Sequence, residues 1–178
     1  MGGGNKEFMI DLKNYKVVTL KHSETNFTII NEIIEIKRKS WSYPYESHLN
    51  WIKENINPDD IHFLVYCKSE LVGYTTLTNL NILLNGKTIQ TYGVGGVCTL
   101  ESGKGYGAIL MEEINNWYLE NQSKGFLLCR DALIKFYSKH GWQLINNFEL
   151  DLIKDDSLRV MVDNISSVQS FKFSGQAF

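Results

Sequence analysis

Residues 97–108 read Val97-Cys98-Thr99-Leu100-Glu101-Ser102-Gly103-Lys104-Gly105-Tyr106-Gly107-Ala108. In this stretch a predicted strand ends, a glycine-rich turn follows and a helix begins. Such a junction aims several backbone N–H groups at one place, at the positive end of the helix dipole, and Lys104 adds a charge. The stretch therefore predicts a site for phosphate oxygens. The spacing of Gly103, Gly105 and Gly107 fits neither the P-loop nor the dinucleotide fingerprint. A helix that starts with flexible glycines and binds nothing is the alternative interpretation.

Three more glycines, Gly93, Gly95 and Gly96, lie upstream in the strand that leads into this turn. Glycine inside a strand usually marks a bulge or a close contact of the backbone with another group. A bulge would splay the strand from its predicted parallel neighbour at residues 126–129, and the gap can receive an extended ligand through backbone hydrogen bonds. The alternative is that the glycines make room for a bulky side chain, with Trp142 as the candidate.

A third segment that can carry chemistry reads Phe136-Tyr137-Ser138-Lys139-His140-Gly141-Trp142. Tyr137 is predicted on a short helix just after the parallel strand, so its hydroxyl can reach the splayed gap. A phenol near a thioester sulfur can protonate the leaving thiolate. A core tyrosine bonded to any acceptor fits the same pattern.

The order of elements along the chain predicts the fold. Alternating and helical periodicities give the order β-α-α-β-β-β-α-β-α-β-β. Asn85-Gly86 predicts a type I′ hairpin turn, and Asp155-Asp156 predicts the turn of a final hairpin. The prediction is an α/β (α+β) fold with a mixed, mostly antiparallel sheet, one splayed parallel strand pair and helices on both faces. The predicted strands cover residues 15–21, 62–67, 71–84, 87–100, 126–129, 142–152 and 158–163, and the helices 24–39, 45–56, 105–120 and 131–140. The last dozen residues are expected to be loose or to form a short edge strand.

Composition limits the classes of function. A chain of 178 residues with 43% apolar residues suits one globular domain. The formal net charge of -2 argues against a nucleic-acid-binding protein. No apolar run reaches the roughly 18 residues that a membrane span needs, and no secretory signal is visible. Cys67, Cys98 and Cys129 are far apart in apolar runs, which predicts reduced core cysteines in a cytoplasmic protein, with no disulfide framework and no metal site.

These segments, in this order, resemble the GCN5-related N-acetyltransferase (GNAT) superfamily. The resemblance rests on the bulged strand with Gly-Val-Cys-Thr, the Gly-Lys-Gly-Tyr-Gly-Ala helix start, the following strand and the Phe-Tyr-Ser-Lys-His-Gly-Trp segment. It covers roughly residues 15–163, which are therefore predicted as a GNAT domain between an N-terminal extension at 1–14, which can include a cloning remnant, and a tail at 164–178. The long hairpin and residues 93–97 look most like the branch of aminoglycoside 2'-N-acetyltransferases, although aminoglycosides themselves are a poor fit because Gly95 stands where that branch often has an acidic residue.

The resemblance implies a role for each matching position. Acetyl-coenzyme A would be the cofactor, and its acetyl group would pass directly to an amine through a tetrahedral intermediate, with no covalent enzyme species. The backbone of Val97, Cys98 and Thr99 would bind the pantetheine arm and polarise the thioester carbonyl. Tyr137 would be the general acid. The diphosphate would bind to backbone amides of Gly103, Lys104, Gly105, Tyr106, Gly107 and Ala108.

The acceptor pocket in this superfamily lies under the segment between the first two helices. The aromatic residues Trp41, Tyr43 and Tyr45 are therefore predicted to line it. Nearby His48 reads as an exposed helix histidine or as a general base. Glu101, Asp131 and a water chain are the other candidates for that base.

Two departures from the family pattern favour an alternative function. Ser102 stands where the family usually has Arg or Gln, and the connection from Thr99 to Gly103 is about two residues shorter than usual. The main prediction is an N-acetyltransferase that acts on a primary amine of a small molecule. The alternatives are an acyl-CoA-binding or regulatory domain without turnover and a structural domain without a ligand. The oligomeric state, a homodimer included, is left open.

Overall fold

The computed structural model describes residues 14–176 and residue 178 of the chain. The predicted N-terminal extension lies outside the described residues except for Asn14. Most predicted elements are confirmed to within a few residues. The helices are α1 Phe27–Ser40, α2 Tyr45–Asn55, α3 Tyr106–Glu120 and α4 Ile134–Lys139. The strands are β1 Tyr15–Lys21, β2 Ile61–Cys67, β3 Glu70–Leu84, β4 Lys87–Thr99, β5 Gly125–Arg130, β6 Gln143–Ile145, β7 Phe148–Leu150, β8 Leu158–Asp163 and β9 Phe171–Phe173.

Helix α1 shows why these local signals work. Its N-terminus is capped by Asn26, whose side chain accepts a hydrogen bond from Ile29 N at 3.0 Å. A cap of this kind stabilises a helix by about 1 kcal/mol. Ile33 and Ile34 are fully buried against the sheet, and burying each side chain contributes roughly 1.5–3 kcal/mol. The cap and the apolar face together hold α1 in place over the sheet.

The strands form one sheet in the order β1-β2-β3-β4-β5-β8-β6, with β9 paired to β3 and to β7. Strands β1 to β4 form an antiparallel meander. Asn85 and Gly86 connect β3 to β4 with φ of 49° and 76°, the left-handed conformation that a type I′ turn requires. The predicted mixed, mostly antiparallel sheet is confirmed.

Helices cover both faces of this sheet. Successive residues of a strand point to opposite faces, and in β2 Phe63 and Val65 pack with α3 whereas Leu64 packs with α1 and α2. Within the described part of the chain, none of the helices has the length and apolar character needed to cross a bilayer.

The chain after residue 142 differs from its prediction. The predicted strand at 142–152 is interrupted at Asn146-Asn147, two residues that favour turns. The first part, β6, pairs with β8, whereas the second part, β7, pairs in parallel with β9. The prediction of a loose segment is wrong for residues 171–173, because they form strand β9, and Phe171 and Phe173 are buried. The alternative of an edge strand is also wrong, because β9 pairs with β3 on one side and with β7 on the other.

Candidate active site

Strands β4 and β5 are parallel neighbours that separate along their length. They pair only from Tyr92 with Gly125 to Val94 with Leu127, although β4 continues to Thr99. Beyond Val94, the edge of β4 that faces β5 is therefore unpaired. This confirms the predicted splay.

A bulge in β4 lies just beyond the point of separation. Tyr74 of β3 pairs with Cys98 and Thr76 pairs with Gly95, so Gly96 and Val97 together oppose a single residue, Thr75. Gly96 has φ of 60°, which an L-residue adopts only with strain. Thr75 Oγ1 donates to Gly95 O at 2.9 Å and fixes the strand beside the bulge.

The predicted turn between β4 and α3 has the conformation that its glycines allow. Gly103 and Gly105 have φ of 75° and 81°, and α3 begins at Tyr106. Among the residues described, the amides from Gly103 to Gly107 donate to no backbone acceptor. Ala108 differs from the prediction, because its amide donates to Gly105 O at 3.0 Å. The turn thus presents free N–H groups at the positive end of a 15-residue helix.

Lys104 lies in this turn with its ammonium largely exposed. Its Nζ is 3.7 Å from Glu101 Oε2. An exposed pair of this kind contributes little to stability, so the Lys104 side chain is free to turn towards a ligand.

Tyr137 lies on α4 and is 5% exposed. It belongs to the apolar cluster between the sheet and α3, and Val97 of β4 packs against the same cluster. Burial, and then the nearby Cys129, raise the pKa of the Tyr137 phenol above its ordinary value. No fully buried polar atom of the described residues lacks a partner. Within the described residues the Tyr137 hydroxyl has no hydrogen-bond partner, so its proton is not committed to another acceptor there.

The two neighbours of Val97 on β4 are placed differently. Cys98 points to the opposite face, among the residues that pack against α1 and α2, and burial raises the pKa of its thiol to about 12. A thiol that stays protonated is a poor nucleophile. Thr99 ends β4, and its hydroxyl donates to Glu101 O at 3.2 Å.

A cavity of about 550 Å³ opens on the α1–α2 face beside the bulge. Of the predicted acceptor residues, Trp41 and Tyr43 line it. Tyr45 does not, because its hydroxyl is turned to Asn31 of α1 and its ring packs among the residues under the helices. The complete lining consists of Lys37, Trp41, Tyr43, Ser47, His48, Trp51, Gly96 and Phe178.

His48 also lines this cavity and is 5% exposed, so the alternative of an exposed helix histidine is wrong. Its Nε2 lies 3.1 Å from Trp41 O. Because a carbonyl oxygen only accepts, Nε2 donates in this hydrogen bond, which leaves Nδ1 as the nitrogen that can accept a proton. The other predicted bases lie elsewhere: Glu101 faces Lys104, and Asp131 pairs with Arg159 at 2.9 Å.

Four residues of the cavity were not predicted from the sequence: Lys37, Ser47, Trp51 and Phe178. Lys37 had a signal, since it falls four residues after Ile33 on the apolar stripe of α1. Trp51 stands beside Ile52 on α2 and could have been found in the same way. Phe178 had none, because a position so far along the chain reaches the cavity only through tertiary folding.

The glycines of β4 also make room for a side chain, but not for Trp142. An ideal Cβ on Gly93 would lie 2.4 Å from the Phe178 ring, and one on Gly95 would lie 2.6 Å from the Phe178 carbonyl carbon. Trp142 is instead buried beside α3, where its Nε1 donates to Asn115 Oδ1 at 3.1 Å. Two of the glycines therefore accommodate a wall of the cavity, and Gly96 forms the bulge.

The cysteines take no part in a disulfide. All three are free thiols. In residues 14–176 and 178, no group of three or more His, Cys, Asp or Glu side chains is arranged to hold a metal ion.

A bulged strand that parts from its parallel neighbour, next to a turn of free amides, is the geometry of an acyltransferase of the GNAT class. The family model described as "Acetyltransferase (GNAT) domain" matches residues 24–145. The chain belongs to this family of acetyltransferases.

Solved structures share the fold at low sequence identity. ElaA from Escherichia coli is 17% identical, with a TM-score of 0.64 over 83% of this chain and 98% of that one. An acyl-CoA N-acyltransferase from Pseudomonas aeruginosa is 13% identical, with a TM-score of 0.61 over 83% and 97%. The Bacillus subtilis N-acetyltransferase YlbP, in complex with coenzyme A, is 16% identical, with a TM-score of 0.55 over 83% and 95%. A search of curated proteins found no match. The likeness to the aminoglycoside branch stays a prediction.

Proposed function

We propose that the protein is an acetyl-CoA-dependent N-acetyltransferase that acts on a primary amine of a small molecule. The observation that carries this proposal is the separation of β4 from β5 after Val94, beside the free amides of the turn at residues 103–107. When bound, acetyl-CoA supplies an activated acetyl group as a thioester.

The residues present fit such a cofactor. An ideal Cβ on Gly103 would meet no atom within 4 Å, so the turn opens to a ligand. The amides of Gly103 to Gly107 would hold the diphosphate, with Lys104 adding charge. The unpaired edge of β4 at Val97, Cys98 and Thr99 would hold the extended pantetheine arm through backbone groups.

Tyr137 and His48 are the proposed proton donor and acceptor. The Tyr137 phenol keeps its proton because burial raises its pKa, and its hydroxyl is free to donate to a leaving thiolate. An amine must lose a proton to react, and of the three predicted side-chain bases only His48 borders the cavity, with Nδ1 as the nitrogen that would accept the proton. Trp41 and Tyr43 would contact the acceptor.

Release of coenzyme A with a panel of small amines tests the proposal. Tyr137→Phe is expected to reduce kcat by about 100-fold or more, the usual contribution of a positioned general acid, and to leave the affinity for CoA unchanged. Tyr15→Phe, at the sheet edge on β1, is the matched control. A Tyr137→Phe variant with wild-type turnover would remove Tyr137 from the mechanism.

The phosphate site is tested by Gly105→Val, which is expected to abolish the rise in Tm that CoA produces. Gly86→Val places the same β-branched residue at a similar positive φ in the β3–β4 hairpin, away from the site. If both variants keep the wild-type response to CoA, the turn is not the binding site.

An acyl-CoA-binding domain with little or no turnover is the second candidate. Ser102, which stands where the resemblance implies Arg or Gln, and the short connection from Thr99 to Gly103 favour it, because either departure would weaken the binding of the diphosphate. A rise in Tm with acetyl-CoA but no CoA release with any amine would indicate this function.

A further inference from the structure

One charged residue of the cavity has no role in the mechanism above. Lys37 is 7% exposed on the inner face of α1. Within the described residues, its ammonium forms neither a salt bridge nor a hydrogen bond. Because no fully buried polar atom there lacks a partner, Lys37 Nζ must reach the open part of the cavity.

Two indole rings surround this ammonium. Lys37 Nζ lies 4.3 Å from the centre of the Trp51 ring and 5.9 Å from that of Trp41. Burial lowers the pKa of Lys37, whereas the electron-rich faces of the rings favour the charged form. The rings therefore favour the charged form of Lys37 and oppose the effect of burial.

No acidic side chain of the described residues pairs with this charge, and the carboxylate of Phe178, which borders the same cavity beside Gly95, forms no salt bridge with Lys37. Burial keeps the Cys98 thiol protonated, with a pKa of about 12, and keeps His62 neutral, with a pKa of about 3. The other titratable side chains of the lining are Tyr43 and His48, and His48 donates to a backbone carbonyl. A buried charge without a paired counter-charge is costly, so Lys37 is suited to a ligand that brings a negative group into direct contact with it.

The position of Lys37 indicates how far the negative group of the ligand would lie from its reacting amine. An ideal Cβ on Gly96 would lie 3.9 Å from Lys37 Nζ, so the ammonium is beside the β4 bulge. In a ligand whose amine lies at the edge of β4, an anionic group bound to Lys37 would therefore be separated from the amine by only a few covalent bonds. Trp41, Tyr43 and Phe178 leave apolar surface for the rest of the molecule.

We propose that the acceptor is an amine that also carries an anionic group, a carboxylate or a phosphate, together with an apolar or aromatic body, and that Lys37 binds the anion. The inference rests on the proposed acetyl transfer and names its substrate class. Lys37 is then a specificity residue, and its loss affects only acceptors with the anion.

Matched acceptors test this class of substrate. Turnover is compared for phenylalanine against phenethylamine, for tryptophan against tryptamine, and for phosphoethanolamine against ethanolamine. Lys37→Met is expected to lower kcat/KM by about 10- to 100-fold for the anionic member of a pair, the effect of losing one charge-assisted contact, and to leave the neutral member unchanged. The first two pairs report a carboxylate and the third a phosphate. Lys39→Met, an exposed lysine two residues along α1, is the control.

A binding measurement makes the test independent of turnover. Calorimetry with 3-phenylpropionate and with phenyl phosphate, which carry the anion but no amine, is expected to show at least one of them binding wild type and Lys39→Met, and about 10-fold or more weaker binding to Lys37→Met. That result without any CoA release would leave the anion site standing and reject the proposed acetyl transfer. Equal binding of both anions to all three proteins would overturn the inference, as would loss of turnover in Lys37→Met for neutral and anionic amines alike, which would make Lys37 a general base.

Discussion

A buried histidine makes the stability of this fold depend on pH. His62 of β2 is fully buried, with Nδ1 2.9 Å from the Tyr74 hydroxyl and Nε2 3.0 Å from His22 Nδ1. Burial, followed by His22 and Lys37, lowers the pKa of His62 from 6.5 to about 3. The folded protein therefore holds His62 neutral at pH values where the unfolded chain is protonated. The stability that this provides is fully present above 6.5 and is lost as the pH falls towards 3.

The size of the effect follows from the two pKa values. Between pH of about 7.5 and about 5.0 the unfolded state gains a proton at His62 and the folded state does not, so the free energy of unfolding decreases by about 2 kcal/mol from this residue. Urea unfolding at the two pH values measures the change. His62→Gln keeps a hydrogen-bonding side chain that does not titrate, and the difference in pH dependence between it and wild type isolates His62. Equal pH dependence in the two proteins would show that His62 is not held neutral.

Two further changes test the packing around α3 by urea unfolding. Gly125→Ala places a Cβ 2.5 Å from the Tyr118 ring, which is fully buried. Overpacking is therefore expected to lower the free energy of unfolding by about 1–3 kcal/mol. Unchanged stability would mean that the ring can move. Asn115→Ala removes the acceptor of Trp142 Nε1 and the donor to His140 O. Because both groups are left unpaired, the free energy of unfolding is expected to decrease by about 1–3 kcal/mol. A smaller decrease would indicate that water replaces the amide.

Local signals made the meander and the helices predictable from the sequence. Asn85 and Gly86, which tolerate positive φ, form the predicted hairpin turn. The side-chain oxygen of Asn26 caps the N-terminus of α1. Gly96 of β4 predicted the bulge, because its positive φ is a matter of local backbone conformation, whereas Gly93 and Gly95 make room for the distant Phe178. The turn, the cap and the bulge depend on residues close to one another in the chain.

The features that the sequence did not predict depend on distant contacts. The pairing of β7 with β9 joins residues 148–150 to residues 171–173, and no local pattern specifies such a partner. Phe178 reaches Gly93 and Gly95 for the same reason. Lys37 is different, since its place on the apolar stripe of α1 was visible, but a lysine there looks like an interruption of the stripe until Trp51 is known to cover it.

The bulge at Gly96 explains how one strand can serve both sides of the proposed reaction. Val97 packs against the cluster that contains Tyr137 on the α3–α4 face, whereas Gly96 borders the cavity that contains His48 and Lys37 on the α1–α2 face. A regular strand paired with β5 would separate these two faces by a continuous layer of backbone hydrogen bonds. Because β5 has parted from β4 at this point, a proton donor on one face and a proton acceptor on the other can act across the same open edge. The positive φ of Gly96 therefore matters for function, since a side chain at that position would both strain the bulge and approach the ammonium of Lys37.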